Sequence, residues 1–406
     1  MWEQISSNRT RSIVLVIAMG MLLVGVGWLI GLAFANNGIV GLVIALVVWA
    51  FMSLIAYFQG SSILLGVAGA RKIEKKDHPR LYNVVEEMKI ASALEKMPDV
   101  YIIDDPALNA FATGRDSNHA SVAITSGLLQ KLNRDELQGV IAHEISHIKN
   151  RDVLLMSMCS VLLGTIVILS YYASRVMMFG GMSGGSRRSS SRDSGGNGAA
   201  IIMLFAIVLM ILAPLFAQLI YFAVSRRREY LADASGALYT RYPEGLASAL
   251  EKLSASTTPV KSANQATAPM YIINPFRKKG MSLDDLTSTH PPIQERIRIL
   301  RAMAGGASLA SYDQAYRTVK HAKSSIMSQQ TMSAAGLVSA RPANPDTSTI
   351  ENPTEQTERA REVSDMMFKL NDYRIIDCEC GTRLKVPPSF RGQQVRCPHC
   401  GRVHQA

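Results

Sequence analysis

Along this chain the apolar residues gather into long unbroken runs instead of recurring at one steady period. Residues 13–35 and 39–58 contain no charged side chain, and each is long enough to cross a hydrocarbon core of about 30 Å as a helix. Residues 153–172 and 199–224 are likewise uncharged, and Pro214 and Gln218 in the last run are tolerable in a helix packed among neighbours. A single run of this kind also suits a buried core helix, and Ala33 and Ala35 give the first run an ending like that of a signal peptide. Four such runs in one chain predict four membrane-spanning helices.

Between the runs the pattern changes. Residues 77–97 read as a helix, and Val100–Ile103 as a strand following Pro98 and Asp99. Residues 121–125 alternate as a strand before Gly127. Asn133 is placed to cap a new helix, with Glu136 three residues on, and Leu137, Val140, Ile141 and Ile148 give that helix one apolar face. A second polar block, 225–305, closes in a helix after Pro291 and Pro292. Residues 173–198 are rich in Gly, Ser and Arg without period and predict a flexible loop, while 323–360 read as a linker too polar to bury a core. The expected order is two membrane helices (1–60), a first soluble part (61–152), a membrane hairpin (153–224), a second soluble part (225–305), a partly disordered linker (306–370) and a terminal module (371–406).

Composition adds little until charge is placed along the chain. The net charge of +11 would suit a nucleic-acid binder, but the cations flank the apolar runs. Arg9 and Arg11 precede the first, Arg71, Lys72, Lys75 and Lys76 follow the second, and Arg226 to Arg228 follow the fourth. A surplus of cations on one membrane face marks the cytoplasmic side. This places both termini and both soluble parts in the cytoplasm of a multi-pass protein of the inner (plasma) membrane, although Arg175, Arg187, Arg188 and Arg192 run against it. The lipid bilayer is therefore an expected partner and nucleic acid is not. Of five cysteines, Cys159 falls inside an apolar run and reads as a small buried hydrophobe. The other four sit together near the C-terminus, which leaves no disulfide framework.

Two constellations carry chemistry. His143, Glu144 and His147 form an HExxH motif on the helix that follows Asn133; a spacing of four puts both imidazoles on one face to hold one Zn²⁺, and Glu144 beside them can act as general base. A catalytic zinc needs a third ligand, and Glu229, at the exit of the fourth run, is the best candidate. Asp233, one turn further, is placed to accept a hydrogen bond from the far nitrogen of a ligand histidine. The hairpin of runs three and four would return Glu229 to the face where the HExxH helix lies, close to the membrane surface. Cys378, Cys380, Cys397 and Cys400 supply four thiolates in the layout of a zinc ribbon with a structural ion, and His399 inside the knuckle reads as exposed. Two zinc ions are thus expected, one catalytic and one structural. The ribbon is basic but lacks an aromatic stacking platform, so a protein partner is preferred over nucleic acid.

Four stretches in matching order resemble the HtpX-type membrane metalloproteases, relatives of the CAAX prenyl endopeptidases. They are Asn109 to Gly114, the HExxH segment through Asp152, the segment ending in Glu229 to Asp233, and Ser288 to Ile297. The resemblance implies an α-helical membrane protein with four transmembrane helices and a mostly α, α+β zincin-like domain, to which this chain adds a small β zinc ribbon. It also implies a gluzincin site completed by Glu229, a substrate cleft bordered by Asn109 and Ala110, and His290 near the reacting atoms as a further catalytic residue. The strand at 121–125 would offer an edge to an extended substrate. The implied activity is endopeptidase action on misfolded or surplus membrane proteins. Competing readings are a site-specific processing protease for a signal or prenylated peptide, and a non-catalytic membrane scaffold, against which the complete set His143, Glu144, His147 and Glu229 argues.

Overall fold

The computed structural model describes residues 2–35, 37–180, 212, 215, 226–264, 267–276, 291–303, 305–334, 336, 338–343 and 353–405. Helices α1 (Trp2–Ala35) and α2 (Gly38–Val67) form an antiparallel pair. Between them Asn37 caps α2, its side chain accepting from Ile39 N at 3.0 Å. Close packing follows from small residues: a Cβ on Gly41 would lie 2.1 Å from the Gly27 carbonyl oxygen. Among the described residues α2 is the helix that is long and apolar enough on its own to cross a membrane, with a mean hydropathy of 2.8 over its best window. Ile44, Val47, Phe51 and Leu54 stand exposed along it, the surface expected where acyl chains replace water. The first run is helical within α1. The fourth lies almost wholly outside the described residues, so four spans stand as an expectation.

A four-stranded sheet follows, built from β1 (Ala70–Lys72), β2 (Asp99–Ile103), β3 (Ala110–Asp116) and β4 (His119–Thr125) in the order β1-β2-β4-β3. Strand β4 runs parallel to β2 and antiparallel to β3. The sequence expectation that 121–125 forms an edge is therefore corrected: β4 is enclosed on both sides, and the edges are β1 and β3. Alternation made β4 look half-exposed, but the sheet is covered on both faces and nearly all of β4 is buried.

One face of the sheet, with Val100, Ile102, Ala112, Val122 and Ile124, packs on Val140, Ile141 and Ile145 of α5 (Arg134–Lys149). The other, with Ile103, Phe111 and Ala123, packs on Leu64 and Leu65 of α2 and Met156. Helix α3 (Pro79–Ala91), flanking this core, is capped by His78, whose Nδ1 accepts from Leu81 N at 3.2 Å. Burial first, and the Arg80 charge second, hold the His78 imidazole down at about 4 from its ordinary 6.5. The cap is present with His78 neutral, so the unfolded chain binds the extra proton. Its stabilisation is complete above pH 6.5 and is lost as the pH falls through about 4. Melting temperature should drop over that window, and His78→Asn, which keeps a capping oxygen, should blunt the drop; a pH profile identical in both proteins would refute this.

Helix α4 (Ser126–Lys131) leads into α5, whose capping box forms as expected: Asn133 Oδ1 accepts from Glu136 N at 2.9 Å and Asn133 N donates to Glu136 Oε2 at 2.8 Å. After Asn150, Arg151 takes a left-handed conformation with φ of 59°. The chain bends by 83° into α6 (Asp152–Gly180), which contains the third apolar run. Leu155, Cys159, Leu162 and Ile166 of α6 pack with Met19, Leu23 and Val26 of α1. The first part of the expected loop, 173–180, is helical within α6, and residues 181–200 lie outside the description.

Helices α7 (Arg226–Thr240) and α8 (Pro243–Ala255) close over α5, followed by α9 (Ile293–Arg301). Here backbone meets backbone: a Cβ on Gly139 would lie 2.7 Å from Leu246 N, and one on Gly245 2.7 Å from Asp135 O.

The expected linker is a second correction. Residues 306–343 carry α10 (Leu309–Lys320) and the short α11 (Gln329–Ala334), and α12 (Pro353–Leu370) follows. Leu309, Tyr312, Ile326, Met327, Val363 and Met366 enter the main core. Polar composition hid a helical spacing of the few apolar residues, which suffices when a core is already there to receive them. Arg341 clamps this strap, donating to Asp135 Oδ1 at 2.7 Å and to Thr240 O at 3.0 Å. The terminal module consists of two hairpins, β5 (Arg374–Asp377) with β6 (Arg383–Val386) and β7 (Gln394–Arg396) with β8 (Val403–Gln405).

Candidate metal centre and active site

The metal-ligating candidates come from two helices that touch through small residues. His143 and His147 project from α5, and Glu229 from the first turn of α7; Gly236 of α7 lies against His143, where a Cβ would be 3.3 Å from His143 N. All three donors are buried and lie within 4.8 Å of one another. His143 Nε2 and His147 Nε2 are 3.3 Å apart. Glu229 Oε2 is 3.6 Å from the first and Oε1 3.6 Å from the second. Donors about 2.0–2.1 Å from a tetrahedral zinc sit roughly 3.3 Å from each other, so this triangle has the dimensions of three corners of such a site.

Each imidazole is oriented from behind by a carboxylate. His143 Nδ1 is 3.0 Å from Asp233 Oδ1, and His147 Nδ1 is 3.2 Å from Asp152 Oδ2. These contacts turn both Nε2 atoms inward, the arrangement that fixes tautomer and ring orientation in zinc sites. Arg296 of α9, wholly buried, forks onto Asp233 with Nε to Oδ2 at 2.8 Å and Nη2 to Oδ1 at 2.6 Å, and reaches Glu229 Oε2 with Nη1 at 3.7 Å. Burial opposes the Asp233 charge, but the Arg296 guanidinium overcomes it and holds the carboxyl below its ordinary range.

Glu144 is buried on α5 beside these ligands, and its carboxylate accepts from the backbone N–H of Ala112 on β3. Burial pushes its carboxyl up, while the imidazoles of His143 and His147 pull it back. Asn109 does not border an open cleft. It is 1% exposed, and its side chain ties the start of β3 to the segment after the 3₁₀ turn Ala268–Met270, donating to Ile273 O at 3.1 Å. Ala110 is also buried, its carbonyl accepting from Ile272 N at 3.0 Å. The Ile272 carbonyl in turn accepts from Arg296 Nη1 at 3.3 Å, so Asn109 and Arg296 hold one segment from two sides. His290 lies outside the described residues.

Sequence reasoning had passed over Asp152 and Arg296. Both stand inside the stretches that carried the family resemblance. The available signals were a carboxylate five residues beyond His147, across a helix break, and an arginine on the buried face of α9.

In the terminal module, Cys378 Sγ and Cys400 Sγ are 3.4 Å apart, and Cys380 Sγ and Cys397 Sγ 3.7 Å. Zinc–sulfur bonds of about 2.3 Å require sulfurs roughly 3.8 Å apart, so the four thiols fit one ion. His399 is exposed and stands outside the cluster.

Two helical imidazoles and a carboxylate of matched spacing, with a glutamate between the histidines in sequence, define a zinc metalloprotease centre of the HExxH type. The model of Peptidase family M48 matches residues 75–304, and the chain belongs to that family. It is 44% identical over 309 residues to a Protease HtpX homolog of Dictyoglomus turgidum, covering 74% of this chain and 94% of that protein. A Protease HtpX homolog of Streptococcus pneumoniae is 43% identical over 303 residues, 75% of this chain and 100% of that protein. Among solved structures, that of S. mikatae Ste24p aligns over 74% of this chain and 67% of its own, with 20% identity and a TM-score of 0.37. Residues after 304, including α10 to α12 and the cysteine module, lie beyond the family match.

Proposed function

We propose that the chain hydrolyses peptide bonds in misfolded or surplus membrane proteins at the cytoplasmic face of the membrane. The observation that carries this reading is the junction of α5 and α6: the helix bearing His143, Glu144 and His147 turns directly into an apolar helix through a single bend. The site thereby stands at the foot of a membrane helix, where segments of membrane polypeptides emerge. Four spans and cytoplasmic termini complete the reading, on the strength of the flanking cations.

His143, His147 and Glu229 would hold the zinc, with Asp233 and Asp152 fixing the two rings. Zinc bound there supplies a Lewis acid that polarises a carbonyl and acidifies water. Glu144 takes a proton from the attacking water and delivers it to the leaving nitrogen. A substrate strand lies along β3, whose start Asn109 and Ala110 tie to the segment after Met270, and His290 donates to the oxyanion. The cysteine module takes a second, structural zinc and serves as a docking site for a protein, either substrate or regulator. Cys397→Ser should then lower zinc from two ions per chain to one and render residues 371–406 protease-sensitive, with cleavage of a short peptide retained; unchanged zinc content by elemental analysis would refute the ribbon assignment.

Quantitative proteomics of membranes from cells carrying the wild-type chain or Glu144→Gln tests the substrate class. Accumulation of several membrane proteins, each losing more than one cut, supports broad turnover. Loss of one defined cut in one protein would favour the processing-protease reading, and identical membrane proteomes would sink both.

A further inference from the structure

Across the sheet from the metal centre lies a cavity of 240 Å³ that the protease reading leaves unused. Its floor is the end of α2, from Ala56 to Leu65. There the unbroken apolar run stops at Gln59, and Tyr57 and Phe58 stand 41% and 59% exposed, the aromatic pair expected at a membrane–water boundary. The opposite walls are the β3–β4 hairpin, with Arg115, Asn118 and His119, and the residues before β2, with Lys96.

The hairpin is built to aim Arg115 at that floor. The register of β3 on β4 pairs Gly114 with Ala120 and Asp116 with His119, leaving Arg115 as the extra residue of a bulge. A bulge re-aims a side chain, and the Arg115 guanidinium lies over the Phe58 ring, 5.9 Å from its centroid. Gly114 admits no substitute here: its φ is 150°, and a Cβ would come within 2.4 Å of the His119 carbonyl oxygen. Asp116 sets the turn, accepting from Asn118 N at 2.8 Å and His119 N at 2.9 Å, and its other oxygen takes Arg115 Nε at 3.3 Å. Arg115 Nη2 meets His119 Nε2 at 3.1 Å. The carboxylate of Asp116 is thus spent on the hairpin, and that of Asp99, also at the cavity, on Lys72 at 2.9 Å. Lys96, and Arg115 alongside its Asp116 partner, are the cations of a polar pocket that Ser61 and Ser62 also line.

We infer that this pocket binds the phosphate of an anionic phospholipid headgroup, in the leaflet where α2 leaves the hydrocarbon. A rigid, bulge-directed arginine with a second cation and hydroxyls nearby suits a phosphate, and the aromatic floor at the end of an apolar helix suits one that carries acyl chains. The occupant also touches the catalytic strand: three residues before Arg115, Ala112 donates its N–H to Glu144. The inference rests on the reading of α2 as a membrane span.

The test uses the full chain in phosphatidylcholine vesicles containing a minority of a photoactivatable phosphatidylglycerol. Cross-linked peptides are mapped by mass spectrometry. Labelling should concentrate on residues 56–62, 96–101 and 114–121, fall about fivefold for each of Lys96→Ala and Arg115→Ala, and largely return in Arg115→Lys. Melting curves matching wild type show that the variants fold. Labelling spread over the chain, or unchanged in both alanine variants, overturns the inference. So does loss of the label in millimolar inorganic phosphate, which would make free phosphate the occupant. Cysteines placed at Asn37 and Ser62 are labelled from either side with a membrane-impermeant reagent. If both react from the same side, the span reading itself fails; if they react from opposite sides and the lipid label is absent, only the headgroup site fails.

Discussion

Glu144→Gln lowers cleavage of a model polypeptide by about 10²–10⁴-fold, the range expected when a general base is removed and the remaining electrostatics are kept. The amide matches the carboxylate in size and leaves the candidate ligands His143, His147 and Glu229 untouched, so zinc content should not change. The Ala112 N–H still finds an oxygen on the glutamine. The effect should therefore fall on turnover, with substrate affinity preserved. Purified variant protein that retains its zinc and still cleaves at a rate near wild type would refute the role of Glu144.

Arg296→Met should be the most damaging substitution for stability. Arg296 is wholly enclosed, and its fork on Asp233 and reach to Glu229 offset two carboxylates that are themselves 0% and 3% exposed in their side chains. Methionine fills much of the volume but leaves like charges facing each other without water, and breaking a buried pair in this way costs about 3–5 kcal/mol. For a chain of this size that corresponds to a fall of roughly 10 °C in melting temperature. Arg296→Lys keeps the charge without the planar fork and should recover only part of the loss. The loss should be larger in zinc-stripped protein, because a zinc ion in this cluster would be the other positive charge that Glu229 meets. A melting temperature within a degree or two of wild type would show that Arg296 is not the keystone of this network.

The local grammar of the site was legible because it is short-range. HExxH spacing, the Asn133–Glu136 capping box and the β2 strand each depend on residues within one turn or one alternation, and the structure follows them closely. Legibility failed where the partner lies far along the chain. Nothing local marks Arg296 as the partner of Asp233; Asp152 is near His147 in sequence, but the bend at Arg151 takes it off the helical spacing by which the pair would have been read. The edge strand was misjudged for a related reason: alternation shows which face of a strand is buried, whereas strand order depends on pairing, and β4 found partners on both sides. The segment after 305 was misjudged because composition averages over positions. Ile326, Met327, Val363 and Met366 are few, but each is placed to meet a core that the family domain already provides.

The glycines between the ligand-bearing helix and its neighbours set a limit on how this centre can vary. Gly139 lies one turn before His143 on the same side of α5, in backbone contact with Leu246, and Gly236 lies against His143 itself. A single methyl at Gly139 cannot be absorbed by a rotamer change, since the atom it meets is main chain. It would have to lever α5 outward, and the triangle of donors would open with it. The tolerance of the metal site is thus written in atoms that are missing: sequence drift around the zinc is free where side chains meet side chains and arrested where two peptide backbones touch.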